Sequence, residues 1–124
     1  MLAGMAPRVV PGLWVFCAVA EGTPVPPDAL GTFAEAEGMS AILPVASAAR
    51  IGADTALPMV CITLTVPSAL DGVGLTAAVS SALGDAGIAC NMVAALRHDH
   101  VFVPAADAPR AIGVLRALQA RHGA

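Results

Sequence analysis

The sequence predicts an α+β fold of ferredoxin-like order, with antiparallel sheet and helices packed on one face. Three observations carry this. Over 59–66, Val60, Ile62, Leu64 and Val66 alternate with Cys61, Thr63 and Thr65, as a half-buried strand requires. From Asp71 the period becomes helical, with Leu75, Val79, Ala82, Leu83 and Ala86 on one stripe and Gly87 as the stop. Two strands, 88–95 and 100–103, then lead through Pro104 to Asp107, which is expected to cap a helix striped by Ala108, Ala111, Ile112, Leu115 and Leu118. Residues 59–121 thus read strand, helix, strand, strand, helix, lacking only the last strand of the ferredoxin-like order.

The first half is shorter of signal. Pro11 and Gly12 open an apolar run over 13–19 that contains Trp14 and Phe16 and reads as a buried strand. Three prolines and a glycine make 21–27 a loop. Asp28 has the position of a helix cap, with Leu30, Phe33 and Ala34 on one face and Gly38 as terminator, so 28–38 is expected to be helical. A strand follows over 40–45, interrupted by Pro44, and then at most one helical turn over 47–54. The expected division is a degenerate unit over 1–57 and a complete one over 58–124. The 13–19 strand or its neighbour is expected to fill the vacant place in the second sheet.

Composition bounds the function. Of 124 residues, 57% are hydrophobic and only 12% charged, which excludes a disordered chain. All six basic residues are Arg, and the net charge of −3 leaves no basic patch for nucleic acid. Mean hydropathy is +0.79, yet the longest uncharged apolar stretch, 55–70, is broken by Pro58, Pro67, threonines and a serine, unlike a membrane span. Cys17, Cys61 and Cys90 are odd in number and sit inside apolar runs, as free thiols in a reducing compartment do. The expectation is a cytoplasmic domain without membrane or nucleic-acid partners. The unfinished sheet and thin Ala-rich core point to a homodimer.

The run Ser68, Ala69, Leu70, Asp71, Gly72, Val73, Gly74, Leu75 between strand and helix, followed by Gly87, Ile88 and Asn91, resembles an ACT domain. Pro11, Gly12, Trp14, Val15, Phe16, Cys17, Phe33, Glu35, Glu37, Gly38, His98, Asp99, His100, Val103 and Pro104 extend the resemblance to a bacterial family of uncharacterised tandem-ACT proteins. A more distant similarity runs to the cytosolic arginine sensors of animals. The resemblance implies a non-catalytic regulatory module that senses a small ligand, with the 68–74 loop as its contact, and the ligand expected there is an amino acid.

The residues themselves suit that use. Glycines near a helix start expose N–H groups and admit close approach, and the helix dipole favours a carboxylate. Ser68 or Asp71 capping the helix is the alternative use of the same segment. Asp71 is also an acceptor for an ammonium. Asn91 in an apolar strand reads as a buried amide that must find a partner, in a neighbouring loop or on a ligand. His98 and His100 share a face of an extended strand with Asp99 opposite, either as a solvated hairpin or as the rim of the ligand site. Zinc needs three or four ligands and only two are near, so no metal or other cofactor is expected. The ligand site expected is Ser68, Leu70, Asp71, Gly72, Val73 and Gly74 on one wall, Asn91 on another, and His98, Asp99 and His100 at the rim. The alternatives are an oligomerising module without ligand and an enzyme working through the His98, Asp99, His100 run. Against an enzyme, no nucleophile elbow, phosphate loop or dinucleotide fingerprint is present.

Overall fold

Burial alternates cleanly along Trp14–Val19 in this computed structural model, which describes residues 2–65 and 74–123. They fall in two compact units, Gly12–Met59 and the remainder, Met1–Pro11 with Val60–Ala124. No helix among the described residues is long and apolar enough to cross a membrane.

The N-terminal unit holds β2 (Trp14–Val19), β3 (Gly31–Glu35), β4 (Gly38–Pro44) and the short helix α1 (Val45–Arg50). β4 lies between the other two and is antiparallel to both, in register from Trp14↔Pro44 to Val19↔Met39 and from Gly31↔Ile42 to Glu35↔Gly38. Val15, Cys17 and Val19 turn to one face and pack with Ala41, Leu43 and Ala48 of α1. Phe16 and Phe33 lie on the other face and remain 44% and 71% exposed.

The helix expected over 28–38 is corrected by β3 and its hairpin into β4. Leu30, Phe33 and Ala34 have no core to face, and Thr32 and Phe33 suit a strand. Gly38, at φ +132°, closes the two-residue turn Ala36, Glu37 and does not terminate a helix. Tertiary pairing with β4 decides against a weak helical signal.

The C-terminal unit contains β1 (Pro7–Val9), β5 (Met59–Leu64, whose first residue belongs to the other unit), α2 (Leu75–Asp85), β6 (Asn91–Ala94), β7 (Asp99–Pro104) and α3 (Ala108–Gly123). The strands lie in the order β1, β5, β7, β6. The place of the missing last strand is taken by β1, antiparallel to β5 with Pro7↔Leu64, Arg8↔Thr63 and Val9↔Ile62. The strand that should come last therefore comes first in the chain. This removes the vacant sheet position as a reason for self-association.

The predicted stripes of α2 and α3 do cover the core, where Leu75, Val79, Leu83, Ala111, Leu115 and Leu118 meet Ile62, Leu64, Val101 and Val103. Met5 joins them with no exposed surface and so pins the N-terminal arm. Asp107 immediately precedes α3, the position expected of its cap. It ends the 3-10 turn Ala105–Asp107, with a carboxylate oxygen 3.6 Å from Arg110. Cys17 and Cys61 are buried, Cys90 is half-buried, and all three are free thiols.

Candidate functional site

The helix start begins with a backbone requirement. Gly74 caps α2 at φ +108°, a conformation that a side chain strains, and its carbonyl accepts the Ala78 N–H to close the first turn. Having no side chain, Gly74 leaves the first amides of an 11-residue helix without a cap of its own. Ser68, Leu70, Asp71, Gly72 and Val73 lie outside the described residues. Thr65, at the root of that segment, is held by the N-terminal arm. Its N–H donates to the Met5 carbonyl at 2.9 Å and its hydroxyl to the Ala6 carbonyl at 3.0 Å.

Asn91 opens β6 opposite Phe102 and is exposed, which corrects the expectation of a buried amide. The Ala95 N–H donates to the His98 carbonyl and closes the turn between β6 and β7. Pleating then separates the polar run. Asp99, only 4% exposed, lies on the face of Val101 and Val103, which carries the helices. His100 lies on the opposite face with Phe102 and hence with Asn91, one row away. The structure brings Asn91 and His100 onto one face and places Asp99 on the other.

Two residues that the sequence reading passed over complete that face. The Thr63 hydroxyl and His100 Nδ1 share a hydrogen bond of 2.9 Å whose direction follows the imidazole tautomer. Arg8 is directly opposite Thr63 on β1. A row of Arg8, Thr63 and His100 thus crosses three strands, offering a cation, a hydroxyl and an imidazole to an anionic or polar group. The signal for it was the empty strand position, because any strand filling it adds a residue beside Thr63.

Burial sets the electrostatics of the imidazole and the thiols. Burial lowers the pKa of His100, the charge of His98 lowers it further, and Asp99 offsets part of that. His100 is thereby neutral near pH 7 and able to accept or donate. Burial raises the pKa of all three thiols, Cys61 to about 11, which keeps them protonated and poorly nucleophilic. Among the described residues, no three His, Cys, Asp or Glu side chains are grouped to hold a metal ion.

Comparison with known proteins agrees with this architecture. The ACT domain family matches twice in tandem, over residues 1–59 and 57–117. A Vibrio cholerae protein of unknown function, described as a possible transport protein, is 36% identical, with a TM-score of 0.80 over 92% of this chain and 90% of its own. An Agrobacterium tumefaciens protein solved by structural genomics has the same fold at 19% identity, with a TM-score of 0.72 over 91% of this chain and 87% of its own. No curated protein matches the chain.

Proposed function

The chain belongs to the ACT-domain family, and from that premise we propose that it is a non-catalytic regulatory module binding an amino acid or a similar small ligand. ACT domains are commonly regulatory ligand-binding modules, and they typically oligomerise. The observation that carries the proposal is Gly74, held at φ +108° at the start of α2, where it has no side chain to give the first amides. In this reading the N–H groups there receive a ligand carboxylate, together with Ser68, Leu70, Asp71, Gly72 and Val73 of the preceding loop. Asn91 forms a second wall, with Asp71 or the Asn91 amide oxygen taking the ligand ammonium. His98 and His100 tune the rim, and Asp99 acts from behind them.

The enzymatic alternative is weaker because pleating puts Asp99 and His100 on opposite faces of β7. The assembly we propose is a homodimer in the cytoplasm. Phe16 and Phe33, exposed together on one sheet face of the N-terminal unit, support self-association, and the free thiols support a reducing compartment.

A thermal-shift screen against the proteinogenic amino acids tests the binding claim. A ligand at 100 times its Kd is expected to stabilise the fold by about 2.7 kcal/mol. Gly74→Val is expected to abolish that shift while leaving a cooperative transition, and Asn91→Ala to weaken binding by about 1–3 kcal/mol. A ligand that binds both folded variants as tightly as the parent overturns this site.

A further inference from the structure

A second polar constellation lies wholly within the N-terminal unit. A cleft of about 450 Å³ is walled by the Pro-rich loop, including Pro24, Val25 and Pro26, and on its other side by Ile51, Ser47 and Arg50. Asp28 closes the loop side. Ser47, 2% exposed, donates its hydroxyl hydrogen to Asp28 Oδ2 at 2.6 Å and accepts from Arg50 Nη2 at 2.9 Å. One buried hydroxyl therefore holds an anion and a cation beside the same cavity.

The two charges do not form an ion pair with each other. Among the described residues, Asp28 Oδ1 and the Nη1 and Nε groups of Arg50 have no other partner, and both side chains are exposed at the cleft. A carboxylate and a guanidinium kept close but unpaired by a shared hydroxyl are complementary to a ligand bearing an ammonium and a carboxylate on neighbouring atoms. The guanidinium suits the carboxylate by its forked donors. The apolar wall of Pro24, Val25, Pro26 and Ile51 suits an aliphatic substituent, and the cleft volume lies in the range of small-ligand sites.

We infer that this cleft is a separate binding site for a small zwitterion with an aliphatic side chain, with Asp28 as ammonium acceptor, Arg50 as carboxylate donor and Ser47 as the positioning residue between them. It does not depend on the loop site at the start of α2. In the N-terminal unit the segment 20–30 carries no helix, and its prolines shape the wall that a helix does not supply.

The test is an amide NMR titration of the full chain with L-leucine to about 20 mM. The expected result is saturable shifts at the amides of 47–52. N-acetyl-L-leucine, which lacks the ammonium, and L-leucinamide, which lacks the carboxylate, should each bind at least about tenfold more weakly. Asp28→Asn and Arg50→Gln, both at exposed side chains, are expected to weaken L-leucine to the same degree, while Gly74→Val and Asn91→Ala leave these shifts unchanged. Absence of saturable shifts at 47–52 overturns the inference. So does either analogue binding as well as L-leucine, or unchanged affinity in both charge variants. If the shifts disappear only in Gly74→Val and Asn91→Ala, the ligand belongs to the loop site and the cleft is not a site.

Discussion

The two units bury their sheets very differently. Among the described residues of the C-terminal unit, twelve buried apolar side chains form one core shared with two helices of 11 and 16 residues. The corresponding cluster of the N-terminal unit holds six among the described residues, against a helix of six residues, and Phe16 and Phe33 on the opposite face remain substantially exposed. The lesson concerns apolar spacing. A three-to-four spacing indicates a helix only where there is a core for its stripe to cover. In α2 and α3 that core exists, whereas Leu30, Phe33 and Ala34 have none and join an exposed hairpin.

The largest expected effect breaks or upholds this contrast directly. Leu83→Ala removes a fully buried side chain from the larger core and should cost about 3–5 kcal/mol in urea denaturation. Leu43→Ala in the thinner core, where neighbours collapse onto the vacancy, should cost about 2–3 kcal/mol. Equal costs would show that the two cores are equally tight and that the contrast is one of size alone.

A somewhat smaller effect sharpens the assignment of the arm. Met5→Ala is expected to destabilise by about 2–4 kcal/mol, because Met5 lies in the C-terminal core. Hydrogen exchange should then accelerate at the amides of 60–64 and stay unchanged at 39–43. Acceleration at 39–43 instead would place the arm's contribution in the wrong unit.

The smallest effect is a pH dependence confined to the C-terminal unit. The folded-state pKa of His100 lies below its ordinary 6.5, so on acidification the unfolded chain takes up this proton first. The stability linked to His100 is full above about pH 6.5 and is lost as pH falls from there to the lower folded-state value. His100→Gln is expected to flatten the urea midpoint over that interval. An unchanged slope would assign the pH dependence to other groups.

How much of this was legible in the sequence follows from the range of the interactions involved. Val60, Ile62 and Leu64 announce their strand, and Leu75, Val79 and Leu83 their helix, because each period is repeated within a few residues. β1 has only Pro7, Arg8 and Val9, too few to show a period, and its partners are some 55 positions away. For the same reason the opposition of His100 and Asp99 was readable from strand pleating, while the row from Arg8 through Thr63 to His100 required a register between distant strands. Asn91 misled because an apolar sequence context does not reveal that β6 is at a sheet edge, where its first residue is open to solvent.

The inverted position of β1 has a consequence for synthesis. Residues 7–9 are translated ahead of residues 62–64, and at about 5–20 residues per second the wait is roughly 3–10 s. During that interval the segments 14–19 and 38–44 are already available to pair, so the N-terminal unit can form while the arm is still unmatched. Met5 stays open to water and to chaperones until β5 emerges. Docking of the arm is then a late event of high sequence separation, carrying the loop-closure cost that slows such contacts. A chain stalled before residue 62 has no β5 for Met5 to pack against and so exposes a side chain that the finished protein buries completely.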